Sequence, residues 1–279
     1  MTYQTEISRE NPTCFLFVID QSGSMSETLD SGRSKAQFLA DVLNKTLATM
    51  VTRCAKADGI RNYFDVGVLA YGGSGVREPL ATQYGGAGIV GIQALGSAPL
   101  RVEQRDRTQD DGLGGVVTLT TRFPVWFDPA SEGGTPMCEA LARAAELLAD
   151  WCDAHAASYP PTVIHVTDGA ATDGDPQSIG DSIQQIGTRS GDALVFSIHV
   201  SRQAGAEVAF PGSERALGDD LSRLLFRMSS LLPEHVARAA ADKGYAVSAA
   251  SRGLIVNAGP ECVVDFFDIG TRPRLLAAN

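Results

Sequence analysis

The sequence predicts an α/β domain: a doubly wound, mostly parallel central sheet with helices on both faces and one antiparallel edge strand. Three observations predict it. Two short runs rich in aromatic and branched residues, 14–19 and 162–166, read as strands covered on both faces, because a strand with one wet face would alternate. Long stretches with apolar residues at spacings of three and four, 34–56 and 137–155, read as amphipathic helices. The two signals then alternate along the chain, which is the pattern of a parallel sheet wrapped by helices.

The elements follow in order. Residues 1–12 are a polar lead-in to a first strand at 13–19. The first helix has Ser34 as N-cap and Ala36, Leu39, Ala40, Leu43, Leu47, Met50, Val51 and Cys54 on one face, with Gly59 past its end. Residues 63–71 form the second strand, broken by Gly72, Gly73 and Gly75. Periodicity is poor from Val76 to Phe127, where glycines recur and 101–111 is a charged run between β-like pieces at 88–94 and 116–127. This stretch is expected to be an insert between core strands, serving either as decoration or as a partner-binding element.

Gly133-Gly134-Thr135-Pro136 leads into the second helix, with Leu141, Ala144, Ala145, Leu148 and Trp151 on one face; Pro136 suits a first helical position. After Pro160-Pro161 come the strand 162–166, a helix at 177–188 and a strand at 193–201. His165 and His199 fall within strands and read as packed. Asp173 and Asp175 read as loop and helix-entry residues. A loop at 202–218 precedes helices beginning near Asp219 and at 233–243, and apolar segments at 249–257 and 263–269 close the chain. The expected organisation is one elaborated domain over 1–279, with the insert at 76–127 and a carboxyl-terminal extension, 231–279, packed upon it.

At 44% hydrophobic and 20% charged, the composition is that of a soluble globular protein. A net charge of −10 argues against nucleic acid or an anionic membrane as partner. The five cysteines are odd in number and contain no C-x-x-C, so neither a disulfide framework nor a zinc site is signalled. The lead-in has no apolar core, and no apolar run approaches the roughly 18 residues of a membrane span. A cytoplasmic protein is the expectation.

Chemistry concentrates in Asp20-Gln21-Ser22-Gly23-Ser24. A buried strand ends on a carboxylate, and two hydroxyls follow at alternate positions. Thr135 enters a helix, and Asp168, in Thr167-Asp168-Gly169, ends another strand. Each of these has a plain reading: helix caps for Asp20, the serines and Thr135, and a turn residue for Asp168. Together they offer hard oxygen ligands at the carboxyl ends of parallel strands, where α/β sheets bind ligands. Such ligands suit Mg²⁺, with Mn²⁺ or Ca²⁺ as alternatives.

Asp20, Ser22, Ser24, Thr135 and Asp168, in this order and context, resemble the metal-ion-dependent adhesion site of von Willebrand factor A (vWA) domains. The resemblance covers about 12–230, apart from the departure near 80–127. It implies that the strands ending at Asp20 and Asp168 are neighbours. It also implies that Asp20, Ser22 and Ser24 are core ligands, Thr135 a switchable one, and Asp168 a direct or water-mediated one. A partner's exposed Asp or Glu would complete the ion's shell, and the Thr135 loop and last helix would move on binding. The chain's ending is similar to bacterial cytosolic vWA proteins of tellurite-resistance and stress-response systems, which implies a kinase or phosphatase partner. A metal-dependent phosphoester hydrolase and an adaptor for an ATP-driven complex are the alternative functions. Against the first stands the absence of a motif that places a general base; against the second, the absence of any ATPase motif.

Overall fold

The computed structural model describes residues 3, 5–73, 75–86, 88–110, 116–200 and 206–271, with backbone alone at 107–110 and 116. The end of the charged run at 111, the start of the 202–218 loop and residues 272–279 of the carboxyl-terminal extension lie outside the described residues.

The centre of the sheet is β1 (Thr13–Asp20), buried along its whole length. Its residues alternate between two cores. Phe15, Phe17 and Ile19 face a layer with α1 (Lys35–Cys54) and α8 (Pro260–Gly270), and Cys14, Leu16 and Val18 face a layer with α4 (Met137–Ala154) and α5 (Gln177–Ile183). This double burial is why the strand reads as an unbroken apolar run. On one side β1 pairs in parallel with β2 (Phe64–Gly72), and on the other with β7 (Thr162–Thr167). β8 (Leu194–His199) continues the parallel sheet beyond β7. The chain therefore leaves β1 in one direction and later returns to its opposite side. That reversal opens a crevice at the carboxyl ends of β1 and β7.

The expected doubly wound α/β fold is present, but the sheet is antiparallel at both edges rather than one. β3 (Gly75–Arg77) turns straight back against β2, and β4 (Ile89–Gly91) pairs antiparallel with the other end of β2. At the far edge β9 (Val208–Ala209) runs antiparallel to β10 (Leu254–Val256), which itself pairs in parallel with β8. Among the described residues the sheet has eight strands, ordered β9-β10-β8-β7-β1-β2-β3, with β4 also on β2.

The stretch 76–127 is thus only partly an insert. The tight hairpin expected to be displaced by some fifty residues is there, as β2–β3, too short to show a period. After α2 (Pro79–Tyr84) and β4 comes α3 (Ile92–Ser97), a helix where part of a strand is expected. β5 (Arg101–Asp110) and β6 (Val116–Val125) then form a separate antiparallel ribbon. Its base is fixed to α1 by Arg105 on Asp41, which Arg33 also pairs, and Arg101 pairs with Asp128 just past the ribbon, each at 2.7 Å. A cleft of 590 Å³ lies between α1 and this base, and all three arginines lining it are spent on these pairs.

The carboxyl-terminal segment is built into the domain more deeply than a packed extension. Beyond α6 (Asp220–Met228) and α7 (Glu234–Asp242), β10 lies within the sheet. α8 then lies under β1, with Phe267 stacked on Phe17 at 5.7 Å. Arg53–Asp268 (2.7 Å) and Lys243–Asp265 (2.6 Å) hold its polar side. All five cysteines are free. Among the described residues no helix is long and apolar enough to cross a membrane.

Candidate functional site

Three loops meet at the crevice. Asp20 ends β1 and is fully buried. Its Oδ1 accepts the Ser22 N–H at 2.8 Å, and its Oδ2 accepts the Thr167 hydroxyl at 2.7 Å. Buried Met25 anchors the short turn Gly23–Ser26 that follows, so the chain doubles back and sets the Ser22 and Ser24 hydroxyl oxygens 3.1 Å apart. From the loop after β7, Asp168 Oδ1 accepts the Ser24 hydroxyl at 2.6 Å, across 144 positions of sequence. The strands that end at Asp20 and Asp168 are adjacent, as expected.

Thr135 arrives on the third loop and is buried. Its backbone is fastened to the loop after Asp168: its N–H donates to Thr172 Oγ1 at 2.9 Å and its carbonyl accepts the Thr172 N–H at 3.0 Å. The Gly23 N–H donates to the Gly133 carbonyl at 3.0 Å, which joins the Thr135 loop to the serine loop. The Gly73 N–H donates to Glu132 O at 2.6 Å, and Glu132 N–H to Gln21 O at 2.8 Å. The β2–β3 turn therefore closes the third side.

The plain capping readings of these residues are not realised. Helix α1 is capped by Ser34, whose side chain accepts from Gln37 N while Gln37 reciprocates, a full capping box. The N-cap position of α4 is Pro136, not Thr135, and Pro136 itself stands just outside the helix. The free amides of that helix go to Asp173, whose carboxylate accepts Cys138 N at 3.1 Å and Glu139 N at 2.9 Å. Burial works to raise the Asp173 pKa, but these N–H donors outweigh it and hold the carboxyl below its ordinary range.

Asp20 has the opposite electrostatics. Burial pushes its pKa up, against the lowering effect of the Ser22 and Thr167 hydrogen bonds, and repulsion from Asp168 adds to the rise. Among the described residues no Lys, Arg or His forms an ion pair with Asp20. Buried charges are normally paired or bound to metal. Asp168, by contrast, has a cation. Lys35 Nζ lies 2.8 Å from Asp168 Oδ2 and 2.8 Å from Glu27 Oε2. Burial disfavours the Lys35 charge, yet its bonds to Asp168 and Glu27 more than offset this and raise its pKa.

Lys35, Thr172 and Asp173 are site residues that sequence reasoning missed. Lys35 is the first residue of a helix, where the macrodipole disfavours a cation, and that mismatch was its signal. His199 is a fourth. It reads as packed and is buried, but it ends the strand beside β7, opposite Thr167, with Nδ1 unpartnered among the described residues. Burial lowers its pKa, partly countered by Asp219 and Asp168. His165 is packed as expected: it is fully buried, its Nε2 lies 2.8 Å from the Tyr71 hydroxyl, and burial brings its pKa down to about 4.

Among the described residues no three His, Cys, Asp or Glu side chains gather as a metal cluster. Capacity for a cation therefore rests on hydroxyls plus two carboxylates. That donor set is all oxygen and fits a small hard ion such as Mg²⁺.

No family model matches the sequence, and no curated protein matches it. Among solved structures the chain is similar to the pilus adhesin SpaC from Lactobacillus rhamnosus GG. That similarity has 13% identity and a TM-score of 0.45, and covers 82% of this chain and 28% of that one. It is also similar to the vWF domain of the type V pili tip protein Mfa5 from Porphyromonas gingivalis, at 13% identity and a TM-score of 0.28, covering 58% of this chain and 39% of that one. The chain thus spans well under half the length of either structure.

Proposed function

We propose that this chain is a metal-dependent protein-interaction module of the vWA type, without catalytic activity. The observation that carries the reading is Asp20: a fully buried carboxylate with no cationic partner among the described residues, beside two hydroxyls 3.1 Å apart. Asp20 would hold the ion by charge, Ser22 and Ser24 by their hydroxyl oxygens, Thr135 from the facing loop, and Asp168 through its bond to Ser24. Bound there, Mg²⁺ supplies an electrophilic coordination position. The protein's own contribution is to fix these oxygens before any partner arrives. The partner's contribution is an exposed Asp or Glu. The setting we propose with it, a bacterial cytoplasmic stress-response system containing a kinase or phosphatase, rests on the resemblance of the chain's ending.

The test is thermal unfolding with and without Mg²⁺ or Mn²⁺, for wild type and Asp20→Asn, followed by capture of partners from host lysate with Mg²⁺ or with EDTA. Metal should raise the wild-type Tm and leave Asp20→Asn unmoved, and capture should need both the metal and Asp20. Equal behaviour of both proteins in all conditions would refute the reading.

One observation favours a second reading, a metal-assisted hydrolase of phosphate esters. His199 is a buried imidazole on the strand beside β7 whose Nδ1 has no hydrogen-bond partner among the described residues, and a general base needs such a group. Metal-dependent phosphate release from an aryl phosphate that vanishes in His199→Gln would establish it. Release that is absent, or unchanged in that variant, would dismiss it.

A further inference from the structure

Lys35 is an expensive residue to place where it is. It opens α1, where the helix dipole repels a cation, and no acidic residue lies in that first turn to compensate. Its side chain is only 4% exposed. Lysines usually extend their ammonium to water and are almost never fully buried unless paired. The Lys35 N–H donates to Glu27 O at 2.9 Å, which ties the start of α1 to the segment that carries Glu27. The ammonium bridges Glu27 Oε2 and Asp168 Oδ2, each at 2.8 Å. Glu27 sits at the rim, half exposed, whereas the Asp168 side chain is wholly buried.

Charge counting gives this arrangement its meaning. Asp20 and Asp168 contribute two negative charges, and Lys35 returns one positive, so the buried centre carries a net charge of −1. A divalent ion held there would keep a net charge of +1. Both Asp168 oxygens are already engaged, one by Ser24 and one by Lys35.

We propose that Lys35 is a built-in counter-cation that cancels Asp168, so that the protein's own oxygens hold a divalent ion weakly and a partner's carboxylate supplies the missing charge. The inference rests on the adhesion-site reading of Asp20, Ser22 and Ser24. It goes further in making Lys35 the residue that sets metal affinity and the demand for an anionic partner. If Lys35 served the fold alone, its removal would lower stability without tightening metal binding.

The experiment is direct titration of the full chain with Mn²⁺, followed by the electron paramagnetic resonance signal of the free ion and repeated with Mg²⁺ by calorimetry. Wild type and Asp20→Asn establish whether the site binds at all. Lys35→Met should bind at least about tenfold more tightly than wild type, since a unit charge a few ångströms away acts strongly on a partly buried ion. Lys35→Arg should match wild type. Asp168→Asn should bind more weakly, and the double variant Lys35→Met/Asp168→Asn should return close to wild type. Should Lys35→Met fail to fold, the comparison between Asp168→Asn and the double variant, which adds no unpaired buried carboxylate to Asp20, reads the same effect. Binding that is lost in Asp20→Asn but equal or weaker in Lys35→Met would overturn the Lys35 role while leaving the adhesion site standing. Wild type and Asp20→Asn alike in their binding would sink both.

Discussion

Replacing Gly133 by alanine tests whether contact between loops assembles the site. Gly133 has φ +62°, in the left-handed region, and a Cβ there would lie 2.3 Å from Gly73 Cα and 3.2 Å from Gly73 N. Ordinary carbon contacts lie near ~3.5–4.0 Å, so one loop must retreat by more than about 1 Å. What it meets is backbone, which cannot swing aside as a side chain can. The left-handed dihedral costs about 1–2 kcal/mol for a non-glycine residue, and forced overpacking costs about 1–3 kcal/mol. The sum is a destabilisation of about 2–5 kcal/mol, measured by urea unfolding. The displacement also pulls on the Gly23–Gly133 hydrogen bond and on Thr135, two residues along, so the metal-induced rise in Tm should shrink. Gly133→Asn separates the two causes. Asparagine tolerates the dihedral but keeps the clash, so it should rescue little. Gly169→Ala, beside Asp168 but with open space around its Cβ, should stay within about 0.5 kcal/mol of wild type. A Gly133→Ala protein that loses under about 1 kcal/mol and keeps its metal response would refute the view that this contact sets the site.

Two further predictions concern the supports of the site. Asn44 is buried in α1, accepts Trp126 N at 2.8 Å and Phe127 N at 3.0 Å, and donates to Phe127 O at 2.8 Å. Asn44→Leu strands three backbone groups where the Thr135 loop begins and should cost about 3 kcal/mol or more in chemical unfolding; a loss below about 1 kcal/mol would mean that other groups replace these bonds. His165 is held neutral by burial, with its pKa pulled down to about 4. Between the unfolded value near 6.5 and the folded value, only the unfolded chain takes the proton, so stability falls as pH drops through that window, by about 3 kcal/mol in all. His199 shifts the same way, so the measurement is the difference in pH slope between wild type and His165→Gln. Identical slopes would show that His165 protonates as readily in the fold as out of it.

The residues that could be read from sequence are those whose environment repeats along the chain. β1 and β7 are recognisable because both faces of the sheet are covered. α1 is recognisable because its buried face recurs every three or four residues and Ser34 caps it. Asp20, Ser22, Ser24 and Asp168, which the structure brings together, could be read as a motif because the loop after a central strand is short. What stayed hidden lacks that local repetition. Among the described residues the ribbon β5–β6 has no continuous buried face, so Arg101, Glu103 and Arg105 look like a solvated charge run until Asp41 and Asp128 are seen opposite them. β3 and β10 are three residues each, too short to show a period. The pairing of Lys35 with Asp168 spans 133 positions, and the capping of α4 by Asp173 crosses from another loop. Neither leaves a trace at its own position beyond a residue that suits its local setting poorly.

These long-range contacts bear on how the site can work. The resemblance raised the expectation of a Thr135 loop and a last helix that move when a partner binds. In this chain the Thr135 loop is tied at Gly133, at Glu132 and twice at Thr172. The last helix is locked beneath the site by the Phe17–Phe267 stack, three residues before Asp20, and by the Arg53–Asp268 pair. A slide of one helical turn, about 5.4 Å, would break both of the latter and open voids under β1, where each large apolar group exposed costs about 1.5–3 kcal/mol. A single coordination bond to a partner's carboxylate must exceed that sum before it can drive such a shift. Under the proposed metal-dependent reading, the arrangement therefore favours a site formed in advance, in which Lys35, rather than movement of the last helix, would set how strongly an anionic partner is required.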